Sequence, residues 1–171
     1  GEHKGWFFLY NTYDTGARRV YCLKSRDLSN WEYVKECFVP DANSWCQKDI
    51  WATEVIFDEE DGKYYLFYSA TNSNTAGGYA GVKYLGMAVS DSPAGPFVQY
   101  TGTNANGKAI QIGDPIFDAA LLPTSHKLYN SYKNGSSFID ASPYIDPVSG
   151  DKYLYMCRNR EAGATTNIIC G

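Results

Sequence analysis

The sequence predicts an all-β fold, and more narrowly a β-propeller. Its apolar segments are short, rich in Tyr, Val, Ile and Phe, and bounded by Gly, Asp, Asn and Pro, the pattern of strands and hairpins. No long stretch places apolar residues at i, i+3, i+4 and i+7, so long helices are not expected. The hairpin of residues 58–69 (DEEDGKYYLFYS) also recurs at 146–157 (DPVSGDKYLYMC), an offset of 88 residues. Self-similarity of this kind marks a repeat architecture.

The repeat defines the elements in order. Strands are expected near 6–11, 18–25, 31–37, 52–57, 63–70, 83–90, 97–100, 142–146, 152–158 and 166–170. Under the offset of 88, Gly62 meets Gly150, Tyr65 meets Tyr153 and Leu66 meets Leu154. At an offset of 57, Phe8-Leu9-Tyr10 matches Tyr65-Leu66-Phe67. A second element repeats as well. KSRDLSNWEYV (24–34) ends one strand, turns and opens the next at Trp31; AVSDSPAGPFVQY (88–100) does the same at Phe97. Each unit is therefore four strands long, the size of a propeller blade. Blade one spans 1–40 and is incomplete. Blade two spans 50–100, an insertion follows at 101–138, and blade three spans 139–171, also incomplete. Roughly two and a half blades cannot close a ring that takes 4–8. Further sequence or a second chain is expected to complete it. A β-sandwich also uses many short strands, but the matched hairpins favour the propeller.

Bulk properties narrow the function classes. The 171 residues suffice for one domain with a sizeable core. A net charge of −4 argues against nucleic acid or an anionic membrane as the main partner. No apolar run is long enough to span a bilayer. The 15 Tyr and 4 Trp suit strands and also flat platforms for sugars. The five cysteines (Cys22, Cys37, Cys46, Cys157, Cys170) show no metal-ligand spacing and read as mostly free, buried thiols. His3 and His126 are isolated, and metal binding is unsupported for either.

The segments KSRDLSNWEYV, IWATEVIFDEEDGKYYLFYSA, GMAVSDSPAGPF and FIDASPYIDPVSGDKYLYM resemble, in that order, glycoside hydrolase family 43 and its neighbours. The resemblance implies a five-bladed β-propeller. It also implies an inverting glycosidase for arabinose- or xylose-containing plant polysaccharide, an α-L-arabinofuranosidase or arabinanase before a β-xylosidase. The partner would be an arabinan or arabinoxylan oligosaccharide and the location secreted or periplasmic. No cofactor is implied, although some arabinanases of the family hold a structural calcium ion in the central tunnel. The rival readings are a carbohydrate-binding propeller without catalysis and a purely structural one.

The family uses three acids, each on the inner strand of a different blade: an Asp base, an Asp that tunes and orients the general acid, and a Glu general acid. Asp140, in Ile139-Asp140-Ala141-Ser142, matches the tuning Asp. The offset of 88 carries Asp140 to Ala52, at the start of the blade-two inner strand. A further 57 residues carries Ala52 to position −5, ahead of Gly1, where the base is expected. Glu2 fails the placement a base requires. The general acid is expected beyond Gly171. Trp51-Ala52-Thr53-Glu54 resembles the Trp-Ala-Pro-Asp/Glu that heads blade two in the family, with Thr53 in place of Pro. Trp51 would offer its flat face to a pentose ring, or else close the core at the blade top. Glu54 would bind a sugar hydroxyl or serve as a structural acceptor.

Other motifs read as architecture. The acidic run Asp58, Glu59, Glu60, Asp61 is expected to be a solvated hairpin loop, and Asp146 a turn residue. Gly113-Asp114-Pro115 reads as a turn. The Gly- and Asn-rich segment 71–86 reads as a surface loop. Asn134-Gly135-Ser136 fits a glycosylation sequon.

Overall fold

The computed structural model describes residues 3–12, 18–72, 83–103, 109–112, 114–117, 124–125, 136–160 and 168–170. Glu2, most of the loop 71–86, His126 and most of the 101–138 insertion, including Gly113 and the sequon at Asn134, lie outside the described residues.

The described residues form strands and no helix. Sheet one is β1 (Phe7–Asn11), β2 (Val20–Ser25) and β3 (Glu32–Phe38), paired in that order. Sheet two is β4 (Cys46–Asp58), β5 (Lys63–Asn72), β6 (Lys83–Ser90) and β7 (Val98–Gln99). A small ladder of β8 (Gly102–Thr103) and β9 (Ala109–Ile110) follows inside the stretch read as an insertion. Sheet three is β10 (Ser136–Ile145), β11 (Lys152–Arg160) and β12 (Ile168–Cys170). All these pairings are antiparallel, so each large sheet is a meander.

Turn chemistry fixes the hairpins. Gly62 and Gly150 sit at φ +71° and +78°, backbone that a Cβ disfavours. The amide of each donates back to the carbonyl of the acid that opens its loop, Asp58 and Asp146, at 2.9 and 2.8 Å. The Asp146 carboxylate accepts the amides of Val148 and Ser149, which holds its pKa below the usual range. Asp146 is thus a turn residue, as expected. The second repeated element is also built the same way twice. Buried Ser25 accepts the amides of Asp27 and Leu28, and Ser90 accepts that of Ser92.

Sheets one and two share one core. Val20 and Phe38 meet Trp45, Leu66, Tyr68 and Phe97 across the gap. Tyr68 is its centre: its ring lies parallel to that of Trp45 with centroids 6.2 Å apart, and 4.9 Å from that of Phe38. Its hydroxyl accepts from Gln99 Nε2 at 3.2 Å, while Gln99 Oε1 accepts the Asp41 amide at 2.7 Å. The turn 90–97 adds a backbone tie, with the Phe97 amide donating to the Cys37 carbonyl at 2.7 Å. Cys22, Cys37, Cys46 and Cys157 are free thiols. Burial pushes Cys22 up to about 11 and Cys37 up to about 12, so both stay protonated and unreactive at neutral pH. A second core joins sheets two and three: Leu85 meets Phe138 and Ala141, flanked by Phe67, Leu154 and Met156.

Gly86 leaves room for the Tyr68 ring, since a Cβ there would run into it well inside van der Waals contact. Tyr68 is 1% exposed and has nowhere to move. The Gly86→Ala substitution is expected to destabilise the fold by about 2–3 kcal/mol through overpacking. The midpoint of denaturant unfolding measures this.

Candidate active site

The inner strands β4 and β10 depart from regular pairing at the same place. In β4 the register runs from Trp51↔Ser69 to Glu54↔Phe67, so Ala52 and Thr53 face Tyr68 alone. In β10 it runs from Ile139↔Cys157 to Ser142↔Tyr155, so Asp140 and Ala141 face Met156 alone. Both are two-against-one bulges, which bend a strand and re-aim a side chain. Every partner in the second is 88 residues beyond its counterpart in the first. The first bulge residue is left-handed in each case, Ala52 at φ +46° and Asp140 at φ +55°. Asp tolerates this backbone better than most residues with a Cβ.

Each expected site residue lies at one of these bulges. Asp140 is exposed, while its neighbour Ala141 is 2% exposed and anchored in the core between sheets two and three. Trp51 precedes the β4 bulge and is 36% exposed. Lys83 Nζ lies over one face of its indole, 4.5 Å from the ring centroid. Glu54 follows the same bulge, is exposed, and accepts a hydrogen bond from Ser142 Oγ at 3.3 Å. Ser142 is the counterpart of Glu54 in the next sheet, so this bond joins the two inner strands at one height. The structure thus brings Trp51 and Glu54 of sheet two beside Asp140 of sheet three.

Three further residues at the site were not singled out from the sequence. Lys83 is recognisable only once β6 is seen to return beside Trp51. Ser142 stands in the quoted Ile-Asp-x-Ser motif and is the position 88 beyond Glu54. Ser69 is buried and accepts the Asp140 amide at 3.0 Å; a Ser within a strand gives no hint of that.

A groove of about 710 Å³ opens elsewhere, between residues 56–60 and 145–152. It lies roughly 20 Å along the strands from the bulges, at about 3.3 Å per residue. Here one expectation is corrected. Asp58 does not belong to a solvated loop: it is 5% exposed and pairs with Lys152 of sheet three at 2.5 Å, and Lys152 also reaches Glu60 at 2.8 Å. The hairpin of sheet two lies against the start of β11, and that packing buries the first acid of the run. Glu59, Glu60 and Asp61 stay exposed.

No three His, Cys, Asp or Glu side chains converge among the described residues. No helix of the described residues is long and apolar enough to cross a membrane.

Comparison with known proteins agrees with this geometry. The profile of Glycosyl hydrolases family 43 matches residues 2–134. A thermostable family-43 glycoside hydrolase superposes with a TM-score of 0.62 at 28% identity, covering 91% of this chain and 38% of that one. The endo-arabinase of Bacteroides thetaiotaomicron VPI-5482 gives 0.60 at 28% identity, covering 92% and 42%. Among curated proteins, an extracellular endo-α-(1→5)-L-arabinanase of Thermotoga petrophila is 31% identical over 123 residues, 63% of this chain and 25% of that protein. A β-xylosidase of Xylanibacter ruminicola is 48% identical over 54 residues, 32% of this chain and 14% of that protein. The fold is that of the five-bladed propeller hydrolases. The chain belongs to glycosyl hydrolase family 43. It spans a quarter or less of these two curated relatives and about two fifths of these two solved structures. Asp140 lies beyond the residues matched by the family profile, within a chain that the solved structures cover almost throughout.

The Asp58–Lys152 pair gives a pH signature. The hydrogen bond from Lys152 holds the Asp58 carboxyl below its usual range. A depressed folded-state pKa stabilises the protein above the unfolded value, near 3.9, and that contribution is lost as pH falls through the folded value. Lys152→Met is expected to lower stability at pH 6, with the gap to wild type closing as the pH falls below about 4. Thermal melts across pH 2–7 follow it.

Proposed function

We propose that the protein containing this chain is an inverting glycoside hydrolase of arabinose- or xylose-containing plant polysaccharide, most plainly an arabinanase or α-L-arabinofuranosidase. The carrying observation is the exposed Asp140 on the left-handed bulge of β10, beside Trp51 and Glu54 on the matching bulge of β4. The arabinan named in two of the relatives supports the pentose substrate, and the extracellular location of one supports a secreted protein.

Each residue then has a task. Trp51 offers the ring face not covered by Lys83 to a pentose, an apolar contact that orients without committing to a hydroxyl pattern. Glu54, steadied by Ser142, accepts from a sugar hydroxyl. Asp140 raises the pKa of the general acid by like-charge repulsion and orients it, so that it is protonated when the leaving oxygen needs a proton. Base and acid stand about 6.5–9.5 Å apart in inverting enzymes, with a water between base and anomeric carbon. Neither is assigned within these 171 residues. Further blades of the same polypeptide or of a second chain supply them. A second reading, a β-xylosidase, is favoured by the 48% identity to one over 54 residues.

In the intact protein, Asp140→Asn is expected to lower kcat on linear arabino-oligosaccharides by about 100-fold or more with KM little changed. Wild-type turnover in that variant would remove Asp140 from the mechanism. Trp51→Ala is expected to raise KM about tenfold, the loss of roughly 1.4 kcal/mol of ring contact. Hydrolysis of xylo- but not arabino-oligosaccharides by the wild type selects the second reading.

A further inference from the structure

We propose that Ser69 is a positioning residue: its hydroxyl fixes the strand bulge that carries Asp140 and so sets the direction of the carboxylate. This rests on the reading of Asp140 given above.

The Asp140 amide stands outside the β10–β11 ladder, because the register passes from Ile139 to Ser142 without it. A partly buried amide left without a partner is destabilising. Its partner here comes from the neighbouring sheet, Ser69 Oγ at 3.0 Å. Ser69 is 0% exposed, so a solvent molecule does not readily replace the hydroxyl. The bond holds Asp140 at φ +55°, a backbone that relaxes toward the extended region when released. That relaxation turns the Cα–Cβ bond and moves the carboxylate. A displacement of about 1 Å at a reacting centre can cost about 100-fold in rate.

Ser69 also stands directly opposite Trp51 in the β4–β5 ladder. A single residue therefore ties the strand of the sugar platform to the backbone of the carboxylate on the next sheet. Ser90 provides a comparison of the same chemistry. It is 8% exposed and its hydroxyl accepts the Ser92 amide at 3.1 Å, but at the far end of β6, in a turn remote from both bulges.

The test uses the intact protein and linear arabino-oligosaccharides, reading kcat, KM and Tm for Ser69→Ala, Ser69→Cys, Ser90→Ala, Asp140→Asn and the Ser69→Ala/Asp140→Asn double variant. Cysteine nearly keeps the volume of serine but accepts poorly, so Ser69→Cys serves if the alanine variant does not fold. Expected are kcat losses of about tenfold or more for both Ser69 variants, with KM within about twofold of wild type. Ser90→Ala lowers Tm without that kcat loss. Adding Ser69→Ala to Asp140→Asn costs no further activity, because the hydroxyl acts through the carboxylate. Ser69 variants no slower than Ser90→Ala overturn the proposal, as does a double variant whose losses multiply. Those outcomes leave Asp140 in place if Asp140→Asn is inactive. Full activity in Asp140→Asn instead removes the reading of Asp140 and the positioning role together.

Discussion

The site depends on one departure from regular pairing, the bulge that sets two residues of an inner strand against one of its neighbour. In a regular strand, side chains alternate between the two faces of the sheet, and both faces of an inner blade are claimed by packing. A residue meant for the central axis needs a backbone that points elsewhere. The left-handed residue at the bulge provides it, with Ala141 buried immediately after Asp140 to keep the strand anchored. The strain is of order 1 kcal/mol per residue and is met by the ladders on either side.

Around the bulges the sheets are held by two kinds of contact. Apolar side chains carry the bulk of the packing, with Tyr68 and Phe138 buried between neighbouring sheets. Side chain-to-backbone hydrogen bonds set the register between sheets: Ser69 to Asp140, Ser137 to Lys83, and the Asp41 amide to Gln99. Apolar contact tolerates small slips; a buried hydroxyl on a fixed amide does not. The ion pair of Lys152 with Asp58 and Glu60 works at the opposite end of the same seam.

The sheet order and hairpins were legible because local chemistry dictates them: a left-handed Gly after a short acidic turn reads the same at Gly62 and Gly150. The inner strands were read too short for an equally local reason. Alternation was expected from residue 52 and residue 142, whereas β4 begins at Cys46 and β10 at Ser136. The bulges break the period of two, so only the regular half of each strand shows in the pattern. The level of Asp140 in the blade could be read beforehand, since the offset of 88 carries it to Ala52 and the two bulges match. The burial of Asp58 and the bond made by Ser69 could not. Each depends on a partner from another sheet, and nothing near them in the sequence announces it.

Ala52 has a consequence of its own. It occupies the same left-handed position as Asp140 on an otherwise matched framework, yet ends in a methyl group. The two blades thus share the socket and not the charge. New functional groups on such a scaffold can arise by one codon change at a prepared backbone, with the fold itself already compatible.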